Sequence, residues 1–166
     1  SSGGSGTALA ANFSAFDIGE DTGGSIRLPD SFCSVVGLKV TYGLVSRYGA
    51  IAYASSLDTV GPMARSVEDC ALILESIAGN DPLDATSTEE KIPEYTKYLD
   101  NDVSNLKIGL PKEYFEKGLD SRVKEKIDVA IKELEKMGIE IKEISLPMTK
   151  YAVSTYYLIA TSETSS

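Results

Sequence analysis

LKIGLPKEYFEKGLDSRVKEKIDVAIKELEKMGIEIKEISL, Leu106 to Leu146, carries the clearest periodic pattern in the chain. Leu106–Pro111 reads as a strand. Between Asp120 and Met137, the residues Val123, Ile127, Ala130, Ile131, Leu134 and Met137 fall on one face, with lysine and glutamate opposite. That is the period of an amphipathic helix. Gly138 ends it, and Ile139–Leu146 reads as the next strand. Its alternation slips near Lys142–Glu143, which predicts a bulge. Strand, helix and strand at this spacing predict a right-handed crossover and parallel pairing. The class is α/β.

Working upstream, Ser66 opens a second helix, with Asp69 completing a capping-box-like pattern. Val67, Cys70, Ala71, Leu74, Ile77 and Ala78 repeat at helical spacing, and Gly79 stops it. Asn80–Asn105 is polar and turn-rich and reads as a surface excursion, with a short helix around Tyr95, Tyr98 and Leu99. Ile51–Ser55 reads as a short buried strand, and Tyr42-Gly43 and Tyr48-Gly49 as turns. Cys33 and Cys70 read as buried core residues. Downstream, Tyr151–Ala160 is apolar and fits helix or strand, and Glu163 after it reads as solvated.

Near the start, Phe16–Gly19 reads as a strand feeding Asp21-Thr22-Gly23-Gly24-Ser25-Ile26-Arg27. Two glycines let the backbone bend sharply and turn its N–H groups towards a ligand. A serine at such a bend can attack a carbonyl while those N–H groups hold the resulting oxyanion. By composition, Ser1–Gly6 (SSGGSG) reads as a flexible linker, and Thr7–Phe13 as a helix of small residues.

The chain has 166 residues, 42% of them hydrophobic, enough for one domain with a core. Its formal charge of −9 argues against direct nucleic-acid binding. No apolar run has the length of a membrane span. Two cysteines without a CxxC pair suit a reduced, cytoplasmic protein. Histidine is absent, which excludes Ser-His-Asp chemistry and histidine-ligated metal from these residues. A serine nucleophile here needs a lysine base, directly or through a second serine. Both ends read as cut.

Taken together, SSGGSG (Ser1–Gly6), DTGGSIR (Asp21–Arg27), SFCSVVGLKVTYG (Ser31–Gly43), VSRYGAIAYASSLDTVGPMARSVED (Val45–Asp69) and YYLIATSETSS (Tyr156–Ser166) resemble the amidase signature family. Within it they are most similar to the A-subunit branch of glutamyl-tRNA(Gln) amidotransferases. The resemblance implies a mixed, mostly parallel sheet with helices on both faces. It makes residues 1–166 the central portion of one incomplete amidase domain. It also implies a Ser–cis-Ser–Lys triad. Ser25 matches the nucleophile and Ser1 the middle serine, 25 − 1 = 24 positions apart as in the family. This replaces the linker reading of Ser1–Gly6. Thr22, Gly23, Gly24 and Ser25 match the backbone oxyanion hole.

The triad lysine lies upstream of the serine run in the family and is absent from the chain. Lys39 matches a different position. Glu20 stands where a small residue is usual, placing negative charge beside a developing oxyanion. Ser34 and Val40 replace glycine and proline. The activity implied is hydrolysis of the glutamine amide, supplying ammonia for conversion of Glu-tRNA(Gln) to Gln-tRNA(Gln). The implied partners are B and C subunits. The B partner handles tRNA, ATP and Mg, and no cofactor is implied here. The compartment is the cytoplasm, or an organellar matrix in a eukaryote. A general amidase of the same family and a non-catalytic folded module are the alternatives.

Overall fold

The Gly-Ser run that opens the chain is helical: α1 spans Gly3–Ala10. Its composition disfavours a helix, and tertiary packing overrides that preference. Gly6 is buried where a side chain would not fit easily. A Cβ there would sit 3.2 Å from Asp30 Oδ1 and 3.5 Å from Cys33 Sγ. The helix therefore lies close against α2 (Arg27–Cys33), with β1 (Asp17–Asp21) between them in sequence. The structure, a computed structural model, describes residues 1–116 and 118–166. It divides into Ser1–Leu99 with Tyr156–Ser166, and Asp100–Thr155.

In the first unit, β2 (Val36–Gly37) and β3 (Thr59–Ala64) join β1 in an antiparallel sheet of order β1-β3-β2. The β1–β3 register pairs Gly19 with Gly61 and Asp21 with Thr59. One apolar cluster, Leu9, Ile26 and Met63 with Val35 against them, is closed to solvent at its first three members. Each such side chain contributes about 1.5–3 kcal/mol on burial. Ile26 follows Ser25 directly, so this cluster also anchors the Gly-Gly-Ser bend. A second cluster joins Val40, Val45 and Leu74 with Val60, Ile77 and Tyr95. It is covered by α3 (Val67–Ile77), where the Ser66 hydroxyl accepts the Asp69 N–H at 3.0 Å. Cys70 is buried on this helix, whereas Cys33, expected in the core, is only partly buried at the last turn of α2.

Ile51–Ser55 is not a strand. Ile51 is 91% exposed and only Ala54 is buried, because Asp58 collects the N–H groups of Tyr53 and Ala54 and curls the segment. The turn-rich residues 80–105, expected as a surface excursion, are exposed or half-buried throughout and are divided between the two units. Residues 80–99 belong to the first unit, where Asp81 accepts the Ser46 hydroxyl and Asp84 the Arg47 N–H. Residues 100–105 belong to the second.

In the second unit, β4 (Lys107–Pro111) and β5 (Glu140–Ile144) pair in parallel across α4 (Ser121–Lys136), as the periodicity predicts. Asp120 caps α4 by accepting the Arg122 N–H at 2.8 Å, and Gly138 leaves it with φ +87°. No bulge interrupts β5: the register runs unbroken from Lys107–Glu140 to Pro111–Ile144. The slip arises because all of β5 except Ile141 is exposed, so burial does not enforce alternation. The apolar segment after it is α5 (Ala152–Thr164). The α/β class stands. Among the described residues, however, parallel pairing is confined to β4–β5, and the three-stranded sheet is antiparallel throughout.

Asp30 on α2 had no signal in the sequence. It is 1% exposed, and neither carboxylate oxygen has a partner among the described residues. Burial, with the nearby charge of Asp17 second, pushes its carboxyl up to about 6 from 3.8. The folded state thus holds a proton that the unfolded chain releases near pH 4. Stability contributed by the neutral acid is full below about pH 4 and is lost as pH rises to about 6, a change of about 3 kcal/mol. Asp30→Ala is expected to stabilise the chain by about 2–3 kcal/mol at pH 7.5 and much less at pH 4. Urea unfolding of both proteins at the two pH values checks this.

Candidate active site

Asp21 organises the bend. It ends β1 with no exposed surface. Its Oδ1 accepts the Gly24 N–H at 2.7 Å and Arg27 Nη2 at 3.0 Å. Its Oδ2 accepts Arg27 Nε at 3.0 Å and the N–H groups of Ile26 at 3.2 Å and Arg27 at 3.3 Å. Burial alone would raise the Asp21 carboxyl. The Arg27 guanidinium and the three N–H groups outweigh it and hold the carboxyl below its usual range. Residues 22–26 are therefore wrapped around a fixed anion. Gly24 takes φ +128°, which favours glycine. Gly23 lies under the Tyr156 ring, where a Cβ would come within 2.7 Å of Cε2.

The flanks are held separately. Ser2 N–H donates to Ser25 O at 2.8 Å, and Glu20 N–H donates to Ser2 Oγ at 3.3 Å. Thr22 Oγ1 donates to Asp58 Oδ1 at 2.5 Å. Asp58 is buried and takes the N–H groups of Tyr53 and Ala54 on its other oxygen, both at 2.9 Å. Glu163, expected to be solvated, accepts from both the N–H and hydroxyl of Ser56. These bonds hold its carboxyl below the usual range.

A cavity of about 510 Å³ opens on this loop, lined by Ser1, Ser2, Glu20, Thr22, Ser25, Tyr53 and Tyr156. The structure thus brings Ser25, Ser1 and Thr22 to one wall. Among the described residues, the N–H groups of Thr22, Gly23 and Ser25 have no protein acceptor. The Gly24 N–H is turned to Asp21 instead, so three of the four expected donors remain unengaged. Tyr53, Asp58 and Tyr156 were not legible as site residues. They reach the loop from 28 or more positions downstream of Ser25, and the stretches that contain them resemble the family without pointing to this loop. Burial, then the neighbouring Tyr53 hydroxyl, pushes the Tyr156 phenol up, so it stays a neutral donor at physiological pH.

A second cavity of about 280 Å³ adjoins, with Glu20 and Asp58 on its wall as well as Arg47, Tyr48, Ser55 and Asp84. Two hydrogen bonds from Thr86 and one from the Arg47 N–H hold the Asp84 carboxyl down at about 2. No helix among the described residues is long and apolar enough to cross a membrane.

A serine at a glycine bend, with free N–H groups beside it, is the geometry of acyl transfer. The model of the amidase family matches residues 1–166. The chain belongs to the amidase family. A relative from Geobacter metallireducens, named as the A subunit of glutamyl-tRNA(Gln) amidotransferase, is 58% identical over 166 residues, all of this chain and 34% of its own length. The crystal structure of the corresponding protein from Thermotoga maritima superposes with a TM-score of 0.96 at 44% identity, covering 99% of this chain and 36% of the other. The peptide amidase of Stenotrophomonas maltophilia gives 0.85 at 35%, covering 97% and 34%. This amidase-family chain therefore spans about a third of the length of the curated relatives it matches.

Proposed function

We propose that residues 1–166 are the central third of the glutaminase subunit of a tRNA-dependent amidotransferase. One observation carries the chemistry: Ser25 and Ser1 share a cavity with N–H groups that have no protein acceptor. The names and identities of the relatives support placing the chain in the glutaminase branch rather than among general amidases.

In the whole subunit, Ser25 Oγ attacks the carboxamide carbon of glutamine. Its proton passes through Ser1 to a lysine outside these residues. The N–H groups of Thr22, Gly23 and Ser25 hold the oxyanion, each donor contributing about 3–4 kcal/mol in the transition state. The C–N bond then breaks as the proton returns through Ser1 to nitrogen, and ammonia leaves. Water attacks the Ser25 ester by the same route and releases glutamate. Ammonia is used by the B partner, held with a C partner, to amidate Glu-tRNA(Gln) with ATP and Mg. The setting is the cytoplasm or an organellar matrix.

The full-length subunit is expected to release ammonia from glutamine, faster with its B partner and Glu-tRNA(Gln) present. Residues 1–166 alone, without the lysine, are expected to turn over negligibly. Ammonia assays on both proteins test this. Hydrolysis of unrelated amides with no response to the partner would assign the protein to the general amidases. Efficient labelling of Ser25 by a serine-directed probe in residues 1–166 would contradict the need for the lysine.

A further inference from the structure

Glu20 is the one carboxylate on the wall of the Ser25 cavity that the bend does not use. Its backbone is fixed by the pairing with Val60 and by the N–H bond to Ser2. Its side chain borders both cavities. Among the described residues, the Glu20 carboxylate makes no ion pair and accepts no hydrogen bond. The neighbouring charges are already committed. Asp58 is bound by Thr22, Tyr53 and Ala54. The Arg47 guanidinium donates to Ser55 O and Thr86 Oγ1 and stacks on Tyr42 at 4.8 Å; its Nε lies 3.8 Å from Asp84 and has no hydrogen-bond partner among the described residues. Arg27 is held by Asp21. Burial, then the charge of Asp58, raises the Glu20 carboxyl, and the charge of Arg47, shared with Asp84, offsets this only in part, which leaves Glu20 the least compensated carboxylate at this wall.

We infer that Glu20 is a specificity-determining residue: it makes this cavity favour amides that carry a positively charged group beside the amide, and disfavour uncharged ones. The inference rests on the amidase reading above. A cation on the substrate would supply the partner that Glu20 lacks. It would also screen Glu20 from the oxyanion that forms on the adjoining loop. An uncharged amide leaves both repulsions in place.

Glycinamide and propionamide are isosteric and differ in ammonium against methyl. Each is tested as a competitive inhibitor of glutamine hydrolysis by the full-length protein in its complex. Glycinamide is expected to bind about tenfold or more tightly. In Glu20→Gln and Glu20→Ser that preference disappears, with glycinamide bound more weakly and propionamide bound no more weakly than before, which a merely structural role would not produce. Equal inhibition by the two amides in the unsubstituted protein overturns the inference, as does a preference that survives either substitution. If the unsubstituted complex does not hydrolyse glutamine at all, the amidase reading falls and this inference falls with it.

Discussion

Replacing Ser25 by alanine in the full-length protein is expected to lower kcat for ammonia release from glutamine by about 10⁴-fold or more. The stability of the protein should be unchanged. The two halves of this expectation come from different parts of the structure. The hydroxyl is the only group that the substitution removes, and among the described residues no hydrogen bond of the surrounding frame depends on it. The carboxylate of Asp21 draws its backbone donors from Gly24, Ile26 and Arg27. Ser25 enters the frame through its carbonyl, which accepts the Ser2 N–H and survives in alanine. Ammonia release and the urea midpoint, measured on the same preparation, separate lost chemistry from lost fold. Residual turnover near that of the unsubstituted protein would remove Ser25 from the reaction.

The second large effect is on the frame itself. Asp21→Ala removes the acceptor of three backbone N–H groups and of Arg27 Nε and Nη2. Gly24 and Ile26 are buried, so their N–H groups are left without water or protein to bond. Breaking a buried charge pair on one side typically costs about 3–5 kcal/mol. Arg27 is 53% exposed and can turn to solvent, which places the expected loss at the lower end, about 3 kcal/mol. The sign of the pH dependence is opposite to that of Asp30. The Asp21 carboxyl is depressed in the folded state, so its contribution is present above the ordinary carboxylate range and is lost as pH falls through the depressed value. Urea unfolding of Asp21→Ala at pH 7 and pH 3 should show a deficit that shrinks on acidification. An undiminished midpoint at pH 7 would mean that the bend is held by something other than this carboxylate.

The parts of the molecule legible in the sequence are those fixed by neighbours in sequence. α4 and its flanking strands follow from an apolar period and Gly138, and the start of α3 from Ser66 and Asp69. The Asp21–Arg27 bend is also local, since every group that binds the Asp21 carboxylate lies within six positions of it. What was not legible is set by long-range contacts. Gly3–Gly6 become helical because α2 gives them a surface to pack on. Ile51–Ser55 has the composition of a strand but is curled by Asp58. Glu163 finds its partner at Ser56, 107 positions away. Tyr53 and Tyr156 complete the cavity for the same reason, by position in space rather than by motif.

The bonds at the end of α5 moor the Tyr156–Thr164 segment to residues that reach the bend. Glu163 grips Ser56, and the Thr164 hydroxyl donates to Tyr53 O at 2.6 Å. Tyr53 and Ala54 are tied to Asp58, and Asp58 to Thr22. An unbroken series of hydrogen bonds thus joins that segment to the threonine beside the paired glycines. Ser25 itself is clamped from the opposite side by Ser2. The two ends of the bend are thus moored to different parts of the chain, Thr22 to Asp58 and Ser25 to Ser2.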